Sequence, residues 1–495
     1  MSDPIALSTA NLPRLNPQVE RPTYDRSQVS VGIVHLGVGG FHRTHQAMYL
    51  DRLMTAGKAL DWGICGVGVL PSDRLMQTVL QDQDYLYTMV VKHADGRFEP
   101  RVIGSIVDYL FAPDDPEAVI ERMAAPSTRI VSLTVTEGGY NIHAVTGRFD
   151  ETNPDVQVDA EPGAVPRTTF GLITEALLRR WDRGIPAFVV MSCDNIPGNG
   201  DVARGSLAAF ARLRDPALGD RIDREVLFPN SMVDRITPAT TDDDRAEVAL
   251  RFGVRDGWPV VCEPFTQWVL ENWDGDRPSL EDVGVQLVED VAPYELMKLR
   301  LLNGSHQALC YLGYLAGYRY AHEVCQDPLF AKFLLTYMNS EATPTLHPVP
   351  GIDLDAYKPN LIDRFSNPQI RDTLARLCME SSDRIPKWLL PVLRDNLASG
   401  GSIAMTTTVV AAWARYCEAI DEQGEPIVVV DRLADSLVAT AQQQRSDPLA
   451  FIRNRELFGD LVDDERFTTA YLSTLESLHR VGARKTLEML TERPS

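Results

Sequence analysis

Basic residues are in short supply in this 495-residue chain: 48 Lys and Arg face 69 Asp and Glu, for a formal net charge of -21. Nucleic acids and anionic membrane surfaces recruit proteins through excess positive charge, so neither is expected as a partner. No uninterrupted apolar run approaches the roughly 18 residues of a membrane-spanning helix. The N-terminal segment, with Asp3 and Pro4, lacks the basic-then-apolar order of a signal peptide, and a cytoplasmic protein is expected. Cysteine is sparse as well. The seven present (Cys65, Cys193, Cys262, Cys310, Cys325, Cys378 and Cys417) are scattered, odd in number and without a C-x-x-C, which argues against a disulfide framework or a structural zinc. The nine histidines include the near pair His42 and His45, but no carboxylate or cysteine accompanies them at ligand spacing. They read as packing or phosphate-side residues, and no metal is expected. Internal repeats and low-complexity linkers are missing too.

What remains is an ordinary globular composition, 44% apolar and 24% charged, with length enough for two or three domains. Val31 to Leu36 reads as a buried strand, followed by a glycine-rich turn and a helix from about Phe41 to Thr55. Further strands are expected at Gly63 to Val69, Tyr85 to Val91, Arg129 to Thr136, Pro186 to Met191 and Pro259 to Cys262, with helical stretches between several of them. Strands alternating with helices predict a mainly parallel α/β sheet with a crevice at the strands' carboxyl ends. After about Val291 helical periodicity takes over, leaving one short strand-like run at Ile427 to Val430. The expected organisation is a Rossmann-type domain over residues 1–290 and a mostly α-helical substrate and catalytic domain over 291–495.

A strand running into Gly37-x-Gly39-Gly40 and then a helix suits a dinucleotide: glycine lets the backbone approach the pyrophosphate, and the helix start offers oriented N–H groups. The usual third glycine is His42 here, and the same glycines would also serve a plain tight turn. In the loop after the second strand, Asp73 is placed to accept hydrogen bonds from the adenosine ribose and to repel a 2′-phosphate, which favours NAD; Arg74 beside it could instead meet a phosphate.

The segment Lys298-Leu-Arg-Leu-Leu-Asn303-Gly-Ser-His306 sets a lysine, an amide and an imidazole among Leu296, Met297, Leu299, Leu301, Leu302 and Leu309. Pro293 suits the first turn of a helix there. At about 100° per residue the three polar groups fall within an arc of roughly 140°, on one helix face. Desolvation lowers a lysine pKa and makes its amine a usable general base near neutral pH. Asn195 and Glu137 lie just past predicted strands, and Asp234 sits in a compact loop-like stretch; each could equally be a turn former or half of a structural ion pair.

Taken together, Gly37-Val-Gly-Gly-Phe-His-Arg-Thr-His-Gln46, Thr136-Glu-Gly-Gly-Tyr140, Ser192-Cys-Asp-Asn-Ile-Pro197, Met232-Val-Asp-Arg-Ile-Thr-Pro238, Cys262-Glu-Pro-Phe265 and Lys298-x4-Asn303-x2-His306 resemble, in this order, the long-chain polyol-specific dehydrogenases and reductases, and among them the mannitol-oxidising members. The resemblance runs from about residue 30 to beyond 450. It implies a metal-independent, usually monomeric enzyme that oxidises a polyol to a ketose, D-mannitol to D-fructose, with NAD. By the same resemblance Lys298 is the general base, Asn195 and Asn303 form an oxyanion hole, and His306 and Asp234 hold neighbouring hydroxyls and fix the lysine. Glu295 corresponds to a proton-path glutamate. The implied cofactor-binding set is Gly37, Gly39, Gly40, Phe41, Asp73, Thr136 and Glu137. Arg376 falls at a substrate-contacting arginine, and Arg384 stands where mannitol-type relatives more often show lysine. Rival expectations are a D-arabinitol or D-sorbitol dehydrogenase, or a hexuronate reductase that would use Arg376, Arg384 and Lys387 against a carboxylate. A dinucleotide-binding regulator without catalysis would have lost the base or the amide donors, and all of these are present.

Overall fold

The stretch Val31-Gly-Ile-Val-His-Leu36 carries apolar residues in both alternating registers, as a strand covered on both faces requires. In the computed structural model of the chain, which describes residues 3–143 and 148–491, Val31–Leu36 is the central strand, β1, of a five-stranded sheet. The other strands are β2 (Gly63–Gly68), β3 (Ile106–Phe111), β4 (Ile130–Leu133) and β5 (Val189–Ser192). Their spatial order is β3-β2-β1-β4-β5, and every pairing is parallel. Alternate residues feed two cores. Ile33, Ile64, Ile130 and Met191 join one with the helix Gln46–Thr55. Val34, Cys65, Val131 and Val190 join the other with the helices Pro116–Ala124, Thr169–Asp182 and Asn199–Arg214. Strand order reverses between β1 and β4, so the crevice where such sheets take their ligands opens past the ends of those two strands.

Several expectations are corrected. Tyr87–Lys92 and Val260–Cys262 do form strands, but they pair with each other and with Phe98–Ile103 in a separate mixed sheet. A second small sheet, Gln286–Val288, Gln267–Glu271 and Ser231–Asp234, carries Asp234 at a strand end. The helix expected over Phe41 to Thr55 is two helices, Gly40–Thr44 and Gln46–Thr55, broken at His45 with φ -123° and ψ -92°. The ring of His45 lies 2.8 Å from the Gln267 carbonyl oxygen, a tertiary contact that a continuous helix would not offer.

The chain divides into two compact units, Met1–Ala292 and Pro293–Ser495. Among the described residues the second contains helices and isolated bridges and no strand. Ile427 to Val430 pairs with no strand among the described residues: Ile427 is buried and bonds to the Ala419 carbonyl, Val428 is 78% exposed, and the Val430 carbonyl accepts the Glu380 N–H. The nearly all-buried helix Gly304–Leu315 packs against Ala404–Tyr416 and the C-terminal helical stretch Glu465–Thr491, which is kinked at Gly482. No helix among the described residues is long and apolar enough to cross a membrane.

The segment holding Lys298 departs from the α-helix predicted for it. Lys298–Asn303 is π-helical, lying between the α-helices Ala292–Met297 and Gly304–Leu315. Its cause is Tyr337, whose hydroxyl donates to the Arg300 carbonyl oxygen at 2.7 Å, the acceptor that an α-helix would assign to the Gly304 N–H. That N–H turns to Leu299 instead, one residue further back. Glycine is required at 304, because a Cβ there would stand 2.2 Å from the tyrosine oxygen.

Candidate active site

The turn after β1 is built around two glycines with different tasks. Gly37 has φ +92°, and a Cβ on it would stand 2.2 Å from the Thr134 carbonyl oxygen, so no other residue fits. Gly39 is exposed and faces open space, leaving its backbone approachable from outside. Thr134, just past β4, donates its hydroxyl to the Gly37 carbonyl at 2.6 Å, sewing together the two loops that flank the crevice. Beneath them, His35 places one ring nitrogen 2.9 Å from the Thr134 hydroxyl and the other 2.8 Å from that of Ser132. The His42 ring stacks on it at 3.4 Å. Phe41 stacks on His45 with centroids 4.9 Å apart. A glycine turn at the strand-order reversal, with open space over Gly39, fits a dinucleotide.

Asp73 occupies a half-buried position at the end of β2. One oxygen of its carboxylate accepts the N–H groups of Val69 and Leu70, each at 2.9 Å, so the acid shapes the turn it stands on. Arg74 is turned to Asp114, pairing through both terminal nitrogens.

Thr136 and Glu137 are exposed at the start of the short helix Thr136–Gly139, and Thr136 has a left-handed φ of 60°. What holds this strained residue is Asp194, unremarked in the sequence beside the more conspicuous Asn195. Its carboxylate accepts the Thr136 N–H at 2.7 Å, the Val135 N–H at 3.1 Å and the Tyr140 hydroxyl at 2.8 Å. The Asn199 amide donates to the Asp194 carbonyl at 2.9 Å. Burial raises the Asp194 pKa, and these donors work against that rise. Asn195 itself is exposed, one residue beyond this anchor.

Asp234 is 4% exposed. Next to it, Arg235 donates to the carbonyl oxygens of Thr44 and Glu263, and the Glu263 carboxylate accepts the Ile236 N–H at 2.6 Å. Three of the segments that carry the sequence resemblance therefore meet in one network.

In the second unit Lys298, Asn303 and His306 follow one another along a single continuous helical stretch, with Glu295 in the turn before. Lys298 is 9% exposed. The Asn303 side-chain nitrogen is buried and has no hydrogen-bond partner among the described residues. The His306 ring lies tilted against that of Phe365, with centroids 4.5 Å apart. Arg376 and Arg384 are engaged by their own unit: Arg376 forks onto the buried Asp372 at 2.7 and 2.5 Å, and Arg384 donates to the carbonyls of residues 376 and 377. Among the described residues no group of three or more His, Cys, Asp or Glu is placed to hold a metal.

Comparison with known proteins places this geometry. The family model for the mannitol dehydrogenase Rossmann domain matches residues 31–282, and that for the mannitol dehydrogenase C-terminal domain matches 290–479. Mannitol 2-dehydrogenase of Aspergillus fumigatus is 46% identical over 496 residues, 98% of this chain and 99% of that protein. The enzyme of the same name from Neosartorya fischeri gives the same identity and coverage. Among solved structures, Pseudomonas fluorescens mannitol 2-dehydrogenase in ternary complex with NAD and D-mannitol superposes with a TM-score of 0.91 at 45% identity, covering 99% of this chain and 100% of that one. A D-sorbitol dehydrogenase in substrate-free form follows with a TM-score of 0.89 at 35% identity, covering 97% and 100%. With both family models matched and near-full-length relatives at this identity, the chain belongs to the mannitol dehydrogenase family of oxidoreductases.

Proposed function

We propose that the chain oxidises D-mannitol to D-fructose with NAD, releasing one proton, and runs the reduction in reverse. The observation that carries this reading is the pairing of a buried lysine with a buried, partnerless amide donor: Lys298 opens the π-helical segment and Asn303 closes it. Residues five apart draw closer on one face where hydrogen bonds close at i+5 than α-helical spacing allows. Bound NAD supplies the hydride acceptor. Lys298 Nζ takes the proton of the reacting hydroxyl, and the amide nitrogens of Asn303 and Asn195 stabilise the negative charge growing on its oxygen. His306 and Asp234 hold neighbouring hydroxyls, and Glu295 passes the proton onward to water. Gly37, Gly39, Gly40, Phe41, Thr136 and Glu137 form the cofactor's bed, with Asp73 at its ribose end favouring NAD.

A neutral polyol is favoured over a uronate because Arg376 is already forked onto Asp372 and one terminal nitrogen of Arg384 is bonded to backbone carbonyls. D-sorbitol is the second reading, on the strength of the sorbitol dehydrogenase likeness. The family resemblance extends the proposal to a monomer that works without a metal.

NADH formation from mannitol, sorbitol, arabinitol and mannonate at mildly alkaline pH, with NADH binding measured separately, tests the reading. Mannitol is expected to give the highest kcat/KM. Preference for mannonate, or no turnover of any polyol by protein that binds NADH, would reject it.

A further inference from the structure

The dinucleotide reading puts the adenosine ribose near the carboxyl end of β2, where a 2′-hydroxyl is distinguished from a 2′-phosphate. Arg74, directly after Asp73, is the sole basic residue in the stretch 69–82. A guanidinium there is the group that would grip a 2′-phosphate with two parallel hydrogen bonds. Its fork is closed instead. Both terminal nitrogens donate to the two carboxylate oxygens of Asp114, and the guanidinium lies 4.2 Å from the centre of the Phe111 ring. Phe111 is the last residue of β3, the neighbour of β2, and Asp114 follows it in the turn before the helix Pro116–Ala124. The acid that occupies Arg74 thus comes from the adjacent strand's loop, on the same edge of the sheet.

We propose that Asp114 is a determinant of cofactor choice, holding Arg74 neutralised and its two terminal nitrogens engaged, so that a 2′-phosphate meets a cation whose charge is already compensated. The charges left beside the pair, Asp73 and Asp115, are negative and add repulsion. This rests on the dinucleotide reading given above, and it concerns a pair whose two side chains are each about half exposed, 51% and 52%. Exposed pairs of this kind contribute little to folding, so breaking one leaves the protein intact.

Calorimetric titration of NAD+, NADP+ and the fragment 2′,5′-ADP into wild type, Asp114→Asn, Arg74→Ala and the double variant tests it. Asp114→Asn is expected to tighten NADP+ and 2′,5′-ADP by about tenfold at low salt, less at high salt, with NAD+ within about twofold of wild type. In the Arg74→Ala background the same change should gain far less. No tightening of NADP+, or an equal gain without Arg74, overturns the proposal while leaving the dinucleotide reading in place. Failure of wild type to bind NAD+ overturns that reading, and this inference with it.

Discussion

The carboxylate of Asp194 lies 2.7 Å from the backbone nitrogen of Thr136, and through that bond the loop after β5 fixes the loop after β4. Asp194 also receives the Val135 N–H and the Tyr140 hydroxyl, so its removal leaves two partly buried backbone donors without their acceptor, while the Tyr140 hydroxyl keeps its contact with Ser192. Each such donor costs about 1 to 3 kcal/mol. Asp194→Ala is therefore expected to destabilise the protein by several kcal/mol and to release Thr136 from its left-handed conformation. Asp194→Asn keeps an acceptor oxygen and should fold, yet lose turnover by roughly a hundredfold if the next residue, Asn195, is an oxyanion donor. Thermal melts and kcat, measured on both variants below their melting temperatures, check this. Wild-type turnover by Asp194→Asn would show that the anchor matters for folding alone.

Lys298→Ala should lower kcat by about a hundredfold or more while NADH still binds, since general-base catalysis contributes 10² to 10⁴. With a lysine base, polyol oxidation should rise with pH through one ionisation and ketose reduction should fall over the same range. Profiles that run parallel in the two directions would remove Lys298 from that role.

The β1 strand, the glycine turn and the change to helices near residue 291 were legible because each rests on local chemistry: alternation of apolar residues, positive φ at Gly37, and helical periodicity. What the sequence hid depends on partners far along the chain. The break at His45 goes with a carbonyl 222 residues away, and the π-helical turn at Lys298 needs the Tyr337 hydroxyl and the missing side chain of Gly304. Ile427 to Val430 has strand-like residues but no strand beside it. Asp73, expected to be a ribose ligand, accepts two N–H groups of its own turn, and Arg376, expected to be a substrate contact, is paired with Asp372. Asp194 was passed over because a buried carboxylate and an exposed amide look alike as neighbours in a sequence.

The stacked rings of His35 and His42 make stability depend on pH in a definite direction. Both are fully buried under the glycine turn, and two cationic imidazoles cannot stack at 3.4 Å. Burial pushes His35 down to about 3 and His42 well below its ordinary value. An unfolded histidine takes up its proton near pH 6.5. Between that pH and the depressed folded values the unfolded chain binds more protons than the folded one, so stability is complete above about pH 6.5 and is lost as pH falls. Each histidine should contribute up to about 1.4 kcal/mol of lost stability per pH unit in that window. His42→Phe keeps a flat ring and removes one titration, giving up at most a weak contact with Gln46. Melting temperatures of wild type and His42→Phe between pH 7.5 and 5 should lie close together at the alkaline end and separate toward the acid end, with the variant falling less steeply. Equal slopes would mean that His42 is already protonated in the folded protein or stays neutral in the unfolded one, and the buried pair would then have no part in acid sensitivity.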